Sequence, residues 1–103
     1  MNESSSFSPL GVAVAVTAPN GSASASTTLP GAGGTSAMVT NGVNAPISLG
    51  FATVAGGAAA TATSFVIGPS QTRVVGIPTG TTDVSVWGIG ATGTVYVQRG
   101  DGL

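Results

Sequence analysis

The chain has 103 residues, and five types supply 71 of them: 17 Gly, 15 Ala, 14 Thr, 13 Val and 12 Ser. A chain of average usage, roughly 25% charged, would carry about 26 Asp, Glu, Lys and Arg. This one carries Glu3, Arg73, Asp83, Arg99 and Asp101, for a net charge of −1, with no Lys, His or Cys. That inventory excludes disulfides, thiolate and imidazole metal sites, His bases and lysine Schiff bases. Two cations cannot neutralise the phosphates of a nucleic acid or dock a polybasic patch on a membrane. The composition therefore predicts a non-enzymatic structural or binding module without cofactor or metal.

The length predicts a single domain over residues 1–103. Its opening, MNESSSFSPLG, has an acid and no cation where a signal peptide is basic, so no secretory signal is expected. Residues 1–10 are expected to form an extended N-terminal arm. From Gly11 to Ala18 the sequence GVAVAVTA alternates with apolar residues on both faces, which predicts a strand covered on both sides. Pro19-Asn20-Gly21-Ser22 is a turn, because Pro sets φ and Asn-Gly accepts positive φ. SASASTTL reads as a weak small-residue strand, and Pro30 to Gly34 as a loop.

SAMVT, Ser36 to Thr40, is the next strand and Asn41-Gly42 the next turn. ISLGFATV then places Ile47, Leu49 and Phe51 on one face, with Gly50 marking a bulge or a close backbone approach. AGGAAA, residues 55–60, is expected to be a loop. The uncharged run from Phe51 to Gly68 has the length of a short membrane span, but its threonines, glycines and period of about two read as strand, loop and strand. In the second half two hairpins are expected. The first joins Thr61–Ile67 to Thr72–Ile77 and pairs Ile67 with Thr72 and Phe65 with Val74. The second joins Asp83–Ile89 to Thr94–Arg99, pairs Trp87 with Tyr96, and gathers Val84, Val86, Val95 and Val97 into one patch suited to a core.

Eight strand candidates separated by Gly, Pro and Asn turns predict an all-β fold. The expected architecture is an antiparallel β-sandwich, jelly-roll-like, with a small Greek-key β-barrel as the alternative. Only 28 residues are larger apolar types, so the core is thin for a chain with no staple. Self-association or docking on a larger surface would supply the missing burial.

The candidate interface residues are Trp87, Tyr96, Arg73 and Arg99. If the valines of the last hairpin face the core, Trp87 and Tyr96 form an outer aromatic face; the opposite orientation makes them core. Trp87 with Ser85 and Gln98 is the one cluster that offers a shallow sugar site. Arg99-Gly100-Asp101 spells the integrin-recognition tripeptide, but a tripeptide without secreted-module features reads better as a polar tail. Thr61-Ala62-Thr63 and Thr92-Gly93-Thr94 do not recur at a fixed period, which argues against an ice-binding face. The three acids are expected to be solvated surface charges, as most acids are, and the hydroxyls have no His or Lys base to make one a nucleophile.

Taken over the whole chain, the Gly, Ala, Thr, Ser and Val texture, the start NESSSFSPLG, the run FVIGPSQTRVVGIPTGTTDVSVWGIGATGTVYVQ and the tail RGDGL resemble the small decoration or cement proteins of tailed-bacteriophage heads. The resemblance is closest from Phe65 onward and rests on no single motif. It implies a virion protein made in the host cytoplasm that binds the outer surface of the major capsid protein. A homotrimer is implied ahead of a homodimer, with no nucleic acid or membrane partner. The competing expectation is a surface adhesin that binds carbohydrate through the aromatic face.

Overall fold

The computed structural model describes residues 7–63 and 65–101, and contains nine strands and no helix among them. These are β1 (Ser8–Pro9), β2 (Val14–Ala18), β3 (Thr27–Thr28), β4 (Ser36–Asn41), β5 (Ile47–Ala52), β6 (Val66–Ile67), β7 (Thr72–Gly76), β8 (Asp83–Gly88) and β9 (Gly93–Asp101). They form two antiparallel sheets. In the first, β1 and β2 both lie along one edge of β9, followed by β4 and then β7; the second runs β3, β8, β5, β6. From β2 to β9 the chain changes sheet at every step except between β5 and β6, which is the jelly-roll course expected.

Alternation explains the core. Val16, Val39, Val75, Val95 and Val97 point inward from the first sheet, and Ile47, Leu49, Ile67, Val84 and Val86 meet them from the second. β-branched side chains suit a pleated surface and lose little rotamer freedom there. The valines at 84, 86, 95 and 97 are core as expected, but they reach it from opposite sheets rather than from one hairpin face.

Both expected hairpins are absent. Ile67 pairs with Ile47 and not Thr72, while Val74 pairs with Met38 and not Phe65. Trp87 lies opposite Ser48 in the second sheet, and Tyr96 lies between Ala15 and Thr40 in the first. The links 68–71 and 89–92 are corners that carry the chain from one sheet to the other. Packed sheets stand about 10 Å apart, and four residues span up to roughly 13 Å, so the same length serves a turn or a crossing. Local sequence does not separate the two.

Side-chain and turn hydrogen bonds hold these corners. The Asn41 amide donates to the Ala45 carbonyl at 3.0 Å and the Gly68 carbonyl at 2.9 Å, while its oxygen accepts the Val43 amide at 2.8 Å. The Pro19–Ser22 turn locks onto the other corner: Gly21 donates to Gly88 at 2.8 Å, and Gly90 donates to the Asn20 side chain at 3.0 Å. Gly21 takes φ +76° there, the conformation for which the Asn-Gly pair was singled out.

The N-terminal third is also revised. β2 is shorter than its alternating pattern, with Ala15 and Thr17 exposed and Val12 69% exposed, so it is covered on one face only. Of the arm expected over residues 1–10, the described part lies on this chain's own β9, with Ser8 opposite Asp101 and Pro9 opposite Gly100. Residues 1–6, including Glu3, lie outside the described residues, as do residue 64 and the last two residues of the RGDGL tail.

Candidate interaction surface and end cavity

The two sheets differ on their outer faces. On the second sheet, Ser48, Asp83 and Ser85 point outward yet are buried: two loops roof Asp83 and Ser85, and Ser48 Oγ accepts the Phe65 amide at 3.0 Å. The first roof is the SASAS segment. The Ser24 amide donates to the Val86 carbonyl at 2.8 Å, Ser24 Oγ accepts the Val86 amide at 2.9 Å, and Ser85 Oγ donates to the Ser24 carbonyl at 2.9 Å. The second is residues 55–60, whose backbone comes so close to Gly50 that a Cβ there would sit 3.0 Å from the Ala59 carbonyl group and Ala60 Cα. This is the close approach that Gly50 signalled. Small side chains let both segments settle on the sheet.

Asp83 ties the roof down. Its Oδ2 accepts the Ser26 hydroxyl at 2.9 Å and the Gly56 amide at 3.1 Å, and Ser26 Oγ in turn accepts the Ala58 amide at 3.0 Å. The Gly56 amide, and after it the Ser26 hydroxyl, favour the charged carboxylate and lower its pKa below the ordinary 3.8. The solvated acid expected at this position is a buried clamp instead.

Among the described residues no loop roofs the outer face of the first sheet in this way. Ala15 and Thr17 of β2, Tyr96 of β9 and Thr72 of β7 are exposed, with Met38, Thr40, Val74, Thr94 and Gln98 half-buried among them. Tyr96, 49% exposed, stands at the centre of a row that runs Ala15, Tyr96, Thr40, Thr72 across the strands. Thr72 Oγ1 donates to Thr40 Oγ1 at 3.3 Å, which fixes part of that row. Among the described residues no charged side chain interrupts this surface. Uncharged, moderately apolar area with an aromatic centre is what the core of a protein interface requires.

The four candidate interface residues therefore occupy four places. Tyr96 centres the open face. Trp87 is half-buried on the opposite sheet beside Ala23, so the aromatic pair does not exist, and its sugar-site neighbours are lost: Ser85 is buried and Gln98 belongs to the other sheet. Arg73 is exposed at the edge, 5.7 Å from the centroid of Phe65, where its cation closes the side of the sandwich between β6 and β7.

Arg99 is 2% exposed and points into one end of the sandwich. The tripeptide Arg99-Gly100-Asp101 is the end of β9, with its first two residues buried, so it is neither a displayed adhesion loop nor a polar tail. The Arg99 guanidinium donates to the Gly33 carbonyl at 3.1 Å through Nη1 and to the Thr81 carbonyl through Nη2. An open cavity of about 340 Å³ lies there, with Leu29, Ala32, Thr81, Thr82 and Arg99 on its walls. Arg99, expected at an interface or in a polar tail, instead shares the inner face of β9 with Val95 and Val97, and nothing local showed that the sandwich would be open at that level. Among the described residues no three His, Cys, Asp or Glu converge as a metal site. No family model, curated protein or solved structure matches the chain.

Proposed function

We propose that the protein is a structural virion component that binds the outer surface of a phage capsid and reinforces contacts between major capsid subunits. The observation that carries this reading is the asymmetry of the sandwich: among the described residues, one outer face is roofed by the chain's own loops, and the other is left open and carries no charged side chain. An uncharged face of small side chains loses little solvation when pressed against another protein. A subunit that binds only the assembled lattice stabilises it by mass action, with no chemistry required. Jelly rolls also serve as capsid and lectin domains, an analogy of fold and not of site. The same face offers a self-association surface for the trimer. The carbohydrate reading loses its support, since the aromatic pair on which it rested is divided between two sheets.

The test is co-sedimentation with expanded phage capsids, together with light scattering of the free protein. Binding to capsids, weakened at least tenfold by Tyr96→Arg, is the expected result. A wild-type protein that stays monomeric and remains in the supernatant would remove the proposal.

A further inference from the structure

We propose that the free edge of β7 is a self-association site, which takes the β7 strand of a second copy of this chain in an antiparallel pair centred on Val74. The inference rests on the fold and not on capsid binding. It uses the edge of the first sheet rather than its open face, so it adds a two-fold contact to any association through that face.

β7 is the last strand of the first sheet, paired with β4 on one side and, among the described residues, with nothing on the other. The register decides which backbone groups are left over. At the two ends of the strand the Asn41 amide donates to the Gln71 carbonyl at 2.8 Å and the Ile77 amide to the Thr35 carbonyl at 2.9 Å. Hydrogen-bonded and non-bonded pairs alternate along an antiparallel ladder. Arg73 and Val75 therefore bond to β4, while the amides and carbonyls of Thr72, Val74 and Gly76 point out of the sheet's edge. Such a row is a template for another strand, unless proline, lysine, a bulge or a covering segment blunts it. β7 has no proline or lysine, and its five residues meet β4 in unbroken register. Its charge, Arg73, lies on the face of Val75 and is held 5.7 Å from the Phe65 ring centroid of its own chain. The opposite edge of the sheet is divided between β1 and β2 and carries Pro9.

β7 is complementary to itself in one register. Centring the pair on Arg73 sets two guanidinium groups directly opposite, where like charges are destabilising. Centring it on Val75 puts Pro78, which has no amide, opposite Thr72. Centred on Val74, the pair matches Thr72 with Gly76 and Val74 with itself, and all their outward amides and carbonyls are used. The two valines then pack together on the uncharged outer face, and the two Arg73 side chains lie diagonally rather than opposite. Exposed Phe65 adds apolar area on the same flank of each copy. The contact is isologous and closes at two copies.

The chain has no cysteine, so one introduced cysteine reports on this contact alone. The measurements are made on Tyr96→Arg, in which association through the open face is expected to be lost, so that the edge pair and the capsid reading fail separately. Sedimentation velocity should show a monomer–dimer equilibrium. Val74→Pro should weaken it at least tenfold, because proline removes an amide at the centre of the pair, and it fits an edge strand whose amide points away from its neighbour. In oxidising buffer Val74→Cys should crosslink at least tenfold faster than Thr72→Cys. Hydrogen-bonded partners stand about 5.5 Å apart, within the disulfide range of about 4.4–6.8 Å, whereas the two copies of residue 72 would be four residues apart along the pair, roughly 13 Å. A protein that stays monomeric at millimolar concentration overturns the proposal, as do equal crosslinking rates for the two cysteine variants, which are read whether or not Val74→Pro folds. A dimer unaffected by Val74→Pro overturns it too. So does crosslinking of Val74→Cys to Ala15→Cys in a mixed sample in place of Val74→Cys to itself, which would assign the edge to a head-to-tail contact with β2.

Discussion

Two buried polar side chains do more for this fold than its surface charges, and each makes a prediction. Asn41 satisfies two backbone groups in the link between β4 and β5 and one at the crossing between β6 and β7. Asn41→Ala leaves them unpaired, and each buried unsatisfied group costs about 1–3 kcal/mol. Urea unfolding should show a loss of at least that much, a large fraction of the roughly 5–15 kcal/mol typical of a domain. Asp83 makes a prediction about pH. Its folded pKa lies below the ordinary 3.8, so its stabilising contribution is complete above the unfolded value and disappears as pH falls through the folded one. The urea midpoint should therefore drop in acid below the ordinary aspartate range, and Asp83→Asn should flatten that part of the curve. An acid dependence identical in the variant would show that the clamp is not the cause. Neither role was legible in the sequence. Asn41 read as an ordinary turn residue and Asp83 as a surface acid, because both roles come from segments remote along the chain.

Strands were easier to find than their partners. The alternating runs at Ser36–Thr40, Ile47–Val54, Thr72–Ile77, Asp83–Ile89 and Thr94–Arg99 contain β5, β7 and β8 and most of β4 and β9, since side-chain period alone marks a half-buried strand. Pairing was misread wherever a four-residue link proved to be a corner. The glycine in β5 was legible for a different reason: a missing Cβ in a strand interior is costly unless something approaches it. Gly50→Ala would press a methyl against the Ala59 and Ala60 backbone at 3.0 Å. The expected loss is about 1–3 kcal/mol, the usual range for overpacking, with faster amide exchange in residues 55–60 than elsewhere. A variant as stable as the parent, with unchanged exchange there, would place the roof farther from the sheet.

At the level of the entire sandwich, nearly all pairing joins remote parts of the chain: β2 near the start and β4 both lie against β9 at the end. Loops of that length must close before any contact repays them, so refolding should take milliseconds to seconds, as in other all-β sandwiches, rather than microseconds. Stopped-flow fluorescence of Trp87 measures it, and a microsecond phase carrying the full amplitude would contradict the topology. The open face makes the complementary prediction. Tyr96→Arg should change monomer stability by no more than about 0.5 kcal/mol, because exposed positions rarely cost more. Association should fall sharply, because the cation would have to be desolvated in the interface.

Composition and side-chain period were enough for the all-β class, the sandwich and the valine core, because these follow from local alternation and from the absence of helix-forming patterns. The same inventory removed His, Cys and Lys chemistry without reference to any coordinates. Sheet membership, the burial of Arg99 and Asp83, and the contrast between a roofed and an open face required the folded chain. Each depends on which segment comes to lie above a given strand. A strand records its own two faces in its residues, but it does not record what the rest of the chain places over them.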